Sequence, residues 1–347
     1  MKQIIIILTL LITIYSCSFL ATTFTKEKTI SDKQTELSKN ADKYFWDNYH
    51  QGNYDSIPKI VELLNSVLQE NPNDLKATVH LGFVHIWALA ERQRQQNLKP
   101  DITEQIILSK TYFREAYTMN PHDPRILGFL ADLTIAEGTI FNNRKQQTEG
   151  YFMGLKAIKQ WPQFNKFTLG YIFSNLDISD KNFQKGLNWQ YETMDDCACD
   201  KNTKNTDYKS AIQKIKNSKD PKISRACWNT WIAPHNWEGF CLNWGDMLVK
   251  NGDIEEAIKI YNLAKESDNY KEWPFISELE NRIKNATQNQ IDFNMPIDNR
   301  NLKKQNVIMF NSKISCTGCH QMSKNEFTKF GLKNLNEENY FIKTKKK

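Results

Sequence analysis

Trp244-Gly245-Asp246-Met247-Leu248-Val249-Lys250-Asn251-Gly252-Asp253-Ile254-Glu255-Glu256-Ala257-Ile258-Lys259-Ile260-Tyr261-Asn262-Leu263-Ala264 is the stretch on which the fold of this 347-residue chain turns. Gly245, Gly252, Ala257, Tyr261 and Ala264 place small and aromatic residues where the two helices of a hairpin would approach closely. A related phrase occurs twice upstream. Glu70-Asn71-Pro72-Asn73-Asp74 leads to Leu81-Gly82, and Met119-Asn120-Pro121-His122-Asp123 leads to Leu130-Ala131. In both, the Pro is expected to start a new helix, and the small residue to admit a neighbouring one. Before the first phrase, Ile57, Ile60, Val61, Leu64, Val67 and Leu68 recur at spacings of three and four, forming one apolar face on a helix that ends before Asn71-Pro72. No stretch carries a strand pattern, so the expected class is all-α.

These residues resemble the tetratricopeptide repeat. In that family a Leu-Gly pair lies on the first helix, small and aromatic residues lie on the second, and a Pro closes the unit. Phe113, Ala116 and Pro121 stand at the family spacing for a second helix, whereas Asn269 replaces the closing Pro of the last copy. The segment from Glu91 to Glu104 lengthens one hairpin turn, and the register drifts between Gly138 and Leu176. The resemblance therefore implies an irregular helical solenoid, whose concave surface would bind an envelope protein or peptide. The expected organisation is a signal or anchor over 1–24, a tether over 25–40, repeats over 41–290, and a short C-terminal extension over 291–347.

The N-terminus supplies the compartment. Lys2 precedes an uncharged run from Ile4 to Tyr15, the layout of a secretory signal. Ile14-Tyr15-Ser16-Cys17 resembles the lipobox of bacterial lipoproteins, in which the Cys is lipidated. Ordinary cleavage and an uncleaved anchor reaching Phe24 are the alternatives. All three export the body, and the lipoprotein reading makes it a membrane-anchored protein facing the periplasm. The net charge of +6 owes four charges to Lys343, Lys345, Lys346 and Lys347, and elsewhere basic residues are mixed with acidic ones, which does not indicate nucleic acid.

Export gives the last motif its meaning. Ser315-Cys316-Thr317-Gly318-Cys319-His320 contains Cys-x-x-Cys-His, the pattern to which a c-type haem is attached. Cys316 and Cys319 would hold the haem covalently, and His320 would be an axial iron ligand. A class-I cytochrome c resembles this region in its attachment motif alone, because 27 residues after His320 are too few for the helix and distal Met of that domain. The helical body is therefore expected to cover an appended haem and to lend the second ligand. His235, in a turn among four Trp residues, is one candidate; Met247, Met295 and Met309 are others. The readings without haem are a Cys316–Cys319 disulfide or part of a metal site.

Four more thiols, Cys197, Cys199, Cys227 and Cys241, fall in an insertion over about 195–241 and are expected to form two disulfides in an exported chain, with a metal site as the rival. The glycine loops and the Ser and His signatures of common enzymes are missing. Two functions follow as expectations: an exported haem protein of envelope electron transfer or redox sensing, or a non-enzymatic scaffold whose Cys-x-x-Cys-His is a disulfide or metal site.

Overall fold

The computed structural model describes residues 28–31, 34–95, 97, 100–201, 208–296, 305–333 and 335. The expected signal, with Cys17, and the basic tail from Lys343 lie outside the described residues. Among the described residues the fold is all-α, with no strand. In order, the helices are α1 (Glu36–His50), α2 (Ile57–Glu70), α3 (Leu75–Ala90), α4 (Glu104–Met119), α5 (Pro124–Ile140), α6 (Arg144–Gln160), α7 (Pro162–Phe173) and α8 (Lys181–Ala198). There follow α9 (Tyr208–Lys216), α10 (Pro221–Cys227), α11 (Asn236–Asn251), α12 (Ile254–Leu263), α13 (Ile276–Lys284), α14 (Ala286–Asn294), α15 (Thr317–His320) and α16 (Lys324–Lys329). None of the described helices is long and apolar enough to cross a membrane.

Helices pack in consecutive pairs, α1 with α2, α3 with α4, α5 with α6, α7 with α8, and α11 with α12. The recurring phrase explains how a pair begins, with one correction. The Asp that ends the phrase, not its Pro, sets the start of the next helix. Asp74 accepts from the Ala77 amide at 2.9 Å, and Asp123 accepts from the Arg125 amide at 2.9 Å. Each Pro instead stands in the tight turn that separates two helices, because it cannot continue the preceding one. The small residues do what the pattern implies. A methyl group at Gly82 would lie 2.5 Å from the Phe113 ring, and one at Gly245 would strike the Tyr261 ring. An aromatic side chain of the second helix thus occupies the space of the missing side chain on the first.

The apolar faces collect into successive cores. One joins α1, α2 and α3 through Phe45, Trp46, Ile60, Leu64, Leu81 and Trp87. Another, nearer the C-terminus, joins α8 to α14 through Phe183, Trp237, Trp244, Leu248, Ile260 and Phe293. Each fully buried Leu, Ile or Phe contributes about 1.5–3 kcal/mol relative to an exposed one. The folded body begins earlier than the tether reading expects: α1 opens at Glu36, where the Thr35 side chain accepts from the Ser38 amide at 3.1 Å.

The insertion around Cys197 contains one disulfide. Cys197 at the end of α8 is joined to Cys227 at the end of α10, closing a loop of 30 residues. In the chain-entropy account such a loop stabilises by about 3–4 kcal/mol. The expected second bridge is not formed: Cys241 is buried within α11, while Cys199 is exposed beyond α8. A shared helix core surrounds Cys241, so no path leads from it to Cys199 without unpacking α11.

The largest departure concerns the C-terminal extension. Residues from Val307 to Met322 are not appended to the helical body but run through it. Ile308, Met309 and Cys319 belong to the C-terminal core, and Cys316 packs on the core of α1 to α3. The motif helix α15 touches both α1 and α11, so the extension links the first hairpin to the last. Apolar Val307, Ile308 and Met309 drive this burial.

Candidate functional site

The chain reaches the motif by way of a buried polar junction. Asp246, fully buried on α11, accepts from Tyr261 Oη at 2.7 Å and from the Met309 amide at 2.7 Å, and it forms an ion pair with Arg282 Nε at 2.9 Å. Arg282 also donates to the Val307 carbonyl at 2.7 Å and pairs with Glu278 at 2.9 Å. Burial outweighs the guanidinium and pushes the Asp246 carboxyl up to about 6. The residues before the motif are therefore fixed by a carboxylate that also joins α11, α12 and α13.

A second carboxylate holds the motif itself. Glu91, wholly buried at the end of α3, accepts from the amides of Cys316 at 2.9 Å and Thr317 at 2.7 Å, and from Thr317 Oγ1 at 2.8 Å. Its other oxygen accepts from Trp87 Nε1 at 2.8 Å and meets Arg94 Nε at 2.9 Å. Arg94 reaches on to the carbonyls of Lys313 at 2.8 Å and Gly52 at 3.0 Å and to Thr317 Oγ1 at 3.0 Å. Gln93 donates to the Asn311 carbonyl. Thus the segment from Glu91 to Arg94, which the sequence presents only as a lengthened turn, is a clamp on the motif. A charged run directly after an apolar helix is the available signal, but its partner lies more than 200 residues away.

Around the clamp, Cys319 is buried while Cys316 and His320 are half-buried. Tyr171 Oη donates to the Ser315 carbonyl at 2.8 Å. Cys319 is 8% exposed, and Gly239 makes room for its sulfur, because a methyl at Gly239 would collide with Sγ. Burial raises the Cys316 thiol well above the ordinary range, with Glu91 and Cys319 adding to the effect, and it pushes Cys319 up to about 12. Both thiols are thus protonated at neutral pH, the inert state rather than the thiolate of a nucleophile. Trp273 Nε1 donates to the Gly318 carbonyl at 2.8 Å, and Met309 packs over Gly318.

His320 lies on the Tyr49 ring, with centroids 5.0 Å apart. Its Nδ1 stands 2.8 Å from the Ile232 carbonyl. Since a carbonyl only accepts, Nδ1 carries the proton and Nε2 keeps its lone pair. Burial lowers the ring's proton affinity to about 4, so His320 is neutral. His50 sits beside it. Its Nε2 approaches the same Ile232 carbonyl at 3.4 Å, and its main-chain oxygen accepts from the Met322 amide at 2.8 Å. Burial and then the nearby His320 lower His50 to about 3.

His235 has a different setting from the one expected of a distal ligand. It is fully buried, with Nδ1 3.3 Å from Glu238 and Nε2 2.9 Å from Glu326. Burial opposes its charge, but the hydrogen bonds and charges of Glu238 and Glu326 raise its proton affinity overall. Both nitrogens carry protons and neither offers a lone pair to iron in this arrangement. What His235 does is structural: its amide donates to the Cys319 carbonyl at 3.0 Å, and Glu326 completes a capping box with Ser323 at the start of α16. Met247 receives Asn243 Nδ2 at 3.8 Å inside α11, and Met295 receives Gln305 Nε2 at 3.2 Å. Of the sulfur candidates, Met309 alone is shown packed against the motif helix.

A c-type haem requires two thiols about one helical turn apart and an imidazole whose second nitrogen is held by an acceptor. Cys316, Cys319, His320 and the Ile232 carbonyl supply that set, with the Tyr49 ring on His320 and Trp87 packed behind Tyr49. The donor chemistry fits. Among the described residues no group of three or more His, Cys, Asp or Glu side chains is arranged to hold a bare metal ion. No family model, curated protein or solved structure matches the chain.

Proposed function

We propose that this chain is an exported haem protein, in which Cys316 and Cys319 anchor one c-type haem and His320 Nε2 is an axial iron ligand. The single observation that carries the reading is the anchoring of His320 Nδ1 on the Ile232 carbonyl, beside the half-buried thiol of Cys316 and the buried thiol of Cys319. That hydrogen bond fixes the tautomer and leaves the correct nitrogen free for a metal. When bound, the haem supplies one-electron redox chemistry at iron. The protein's own groups do the rest. Glu91 and Arg94 hold the backbone of the motif, Gly239 accommodates the Cys319 sulfur, and the aromatic side chains keep water away. With the Cys319 thiol buried in the folded body, its attachment has to precede closure of the helices over the motif. The role is electron transfer or redox sensing in the envelope, with the helical hairpins docking a partner protein and the N-terminal lipid or anchor holding the assembly at the membrane.

The test is production in a bacterium that attaches haem to exported proteins. The purified chain should be red and should keep its Soret band through acid-acetone extraction, and Cys316→Ala with Cys319→Ala should abolish the band. Colourless wild-type protein under conditions that load a control cytochrome would overturn the reading, and would favour the scaffold alternative.

A further inference from the structure

We infer that the end of the helical stack that carries α10 docks on an anionic lipid surface, through Lys156, Lys159, Lys219 and Lys222. The inference rests on the reading of the N-terminus as exported and held at a membrane. Between Tyr208 and Cys227 six basic residues, Lys209, Lys214, Lys216, Lys219, Lys222 and Arg225, stand against a single acid, Asp220. The sequence conceals this excess, because Asp195, Asp196 and Asp200 come just before it. In the fold the nearby carboxylates are engaged. Asp196 pairs with Lys166 at 2.7 Å, Asp200 with Lys214 at 2.7 Å and Asp268 with Lys216 at 3.0 Å. Asp220 caps α10, accepting from the Lys222 amide at 2.8 Å.

The remaining lysines gather at one turn. Lys222 donates to the Gln160 carbonyl at 3.3 Å and stands over the Trp161 ring at 5.9 Å, so α10 lies against the turn between α6 and α7. Lys159 comes just before that turn, and Lys219 just before α10. Lys156, one helical turn earlier in α6, donates to the Tyr117 hydroxyl at 3.4 Å. All four are exposed, and none forms an ion pair among the described residues. The Cys197–Cys227 bridge ties α10 to α8, so the charges sit on a braced surface.

The chain enters the body at this same end. The Ser31 amide donates at 3.1 Å to the Asn73 carbonyl, in the turn between α2 and α3, and Lys28 pairs with Glu115 near the end of α4 at 2.8 Å. The starts of α3 and α5 and the end of α4 share one core through Leu75, Ile126 and Met119. From α5, Arg125 also stands over the Trp161 ring, at 5.9 Å. One row of turns therefore links the tether to the lysines. Lys28 is eleven residues beyond Cys17, which keeps this end within about 40 Å of a lipid attached there. Each lysine near anionic headgroups strengthens attachment about five-fold, and a basic patch is the second signal that makes a single acyl chain a stable anchor.

Acetylation of lysines in the full-length chain mixed with vesicles, read by mass spectrometry, tests the contact. Vesicles of phosphatidylcholine with phosphatidylglycerol should slow labelling of Lys159, Lys219 and Lys222 about five-fold relative to phosphatidylcholine alone, and high salt should remove the difference. Lys145, at the opposite end of α6, should label equally on both. In the triple variant Lys159→Gln, Lys219→Gln and Lys222→Gln, the protection of Lys156 should disappear. A chain that does not float with neutral vesicles would lack the anchor, which removes that reading alone; the footprint on anionic vesicles still decides the lysines. Equal labelling on the two vesicle types would overturn the inference. So would protection found only in native envelopes, which would assign this surface to an acidic protein.

Discussion

Two hairpins in this molecule use one packing device and differ in what they do with it. In α3 and α4, Gly82 admits the ring of Phe113; in α11 and α12, Gly245 admits the ring of Tyr261. The first ring contact is apolar and Phe113 lies in a core of its own, with a hydrogen bond from Ser109 Oγ to the Gly82 carbonyl at 2.8 Å beside it. The second carries a hydroxyl, and that hydroxyl meets Asp246, which in turn holds Arg282 and the chain entering the motif. One oxygen atom on a repeat side chain, together with a neighbouring carboxylate, changes a structural hairpin into the support of a site. The same glycine-to-ring approach serves in both hairpins, and the polar groups placed beside it decide what else each hairpin holds.

The largest effect that separates the two hairpins should come from Asp246→Ala. It strands the buried Arg282 and frees the Met309 amide, and removing one partner of such a pair costs about 3–5 kcal/mol. Chemical denaturation should show that loss, and any loss under 1 kcal/mol would mean that the junction is not a support. Gly82→Ala and Gly245→Ala are the matched pair. Each forces a methyl into an aromatic ring and should cost about 1–3 kcal/mol. Only Gly245→Ala should also perturb the environment of the motif, followed through cysteine accessibility to a thiol reagent. Exchanging the rings gives smaller and opposite tests. Phe113→Tyr brings a hydroxyl into an apolar ring contact, at about 1–3 kcal/mol, whereas Tyr261→Phe removes one of the two hydrogen-bond donors to Asp246, at about 0.5–1.5 kcal/mol.

Protonation offers the gentlest comparison. On α3, burial lowers His80 and His85 below the ordinary histidine value, with Lys76 adding to the effect on His80. The unfolded chain then takes up protons first as pH falls below about 6.5, so this region loses stability on acidification. In the other region His235 is raised, which makes its contribution full below about 6.5 and lost as pH rises through the folded value. Hydrogen exchange at pH 5.5 and 7.5, corrected for intrinsic rates, should therefore show α3 less protected and the start of α11 more protected at the lower pH. Parallel shifts in the two segments would contradict this.

What the sequence conveys follows the range of each interaction. Helix faces, the Gly82 and Gly245 approaches and the paired helices are local or nearly so, and spacing reveals them. The placement of the motif is not local. Cys-x-x-Cys-His is legible as chemistry, but its burial between two cores depends on Glu91, Arg94, Ile232 and Gly239, which no spacing connects to it. His235 draws notice because aromatic residues crowd its turn, yet Glu326, a distant carboxylate, occupies the nitrogen that a ligand would need. The disulfide divides in the same way, since four thiols announce cross-linking while the helix ends that meet decide on Cys197 and Cys227.

The central claim is covalent haem at Cys316 and Cys319, and intact mass of the exported protein tests it most directly. Full-length chain recovered from the envelope of a haem-attaching host should weigh its mature polypeptide plus one haem, and the added mass should map to the peptide containing Cys316 and Cys319. A mature mass without haem, with those two residues recovered as free thiols or as a disulfide, would contradict the account.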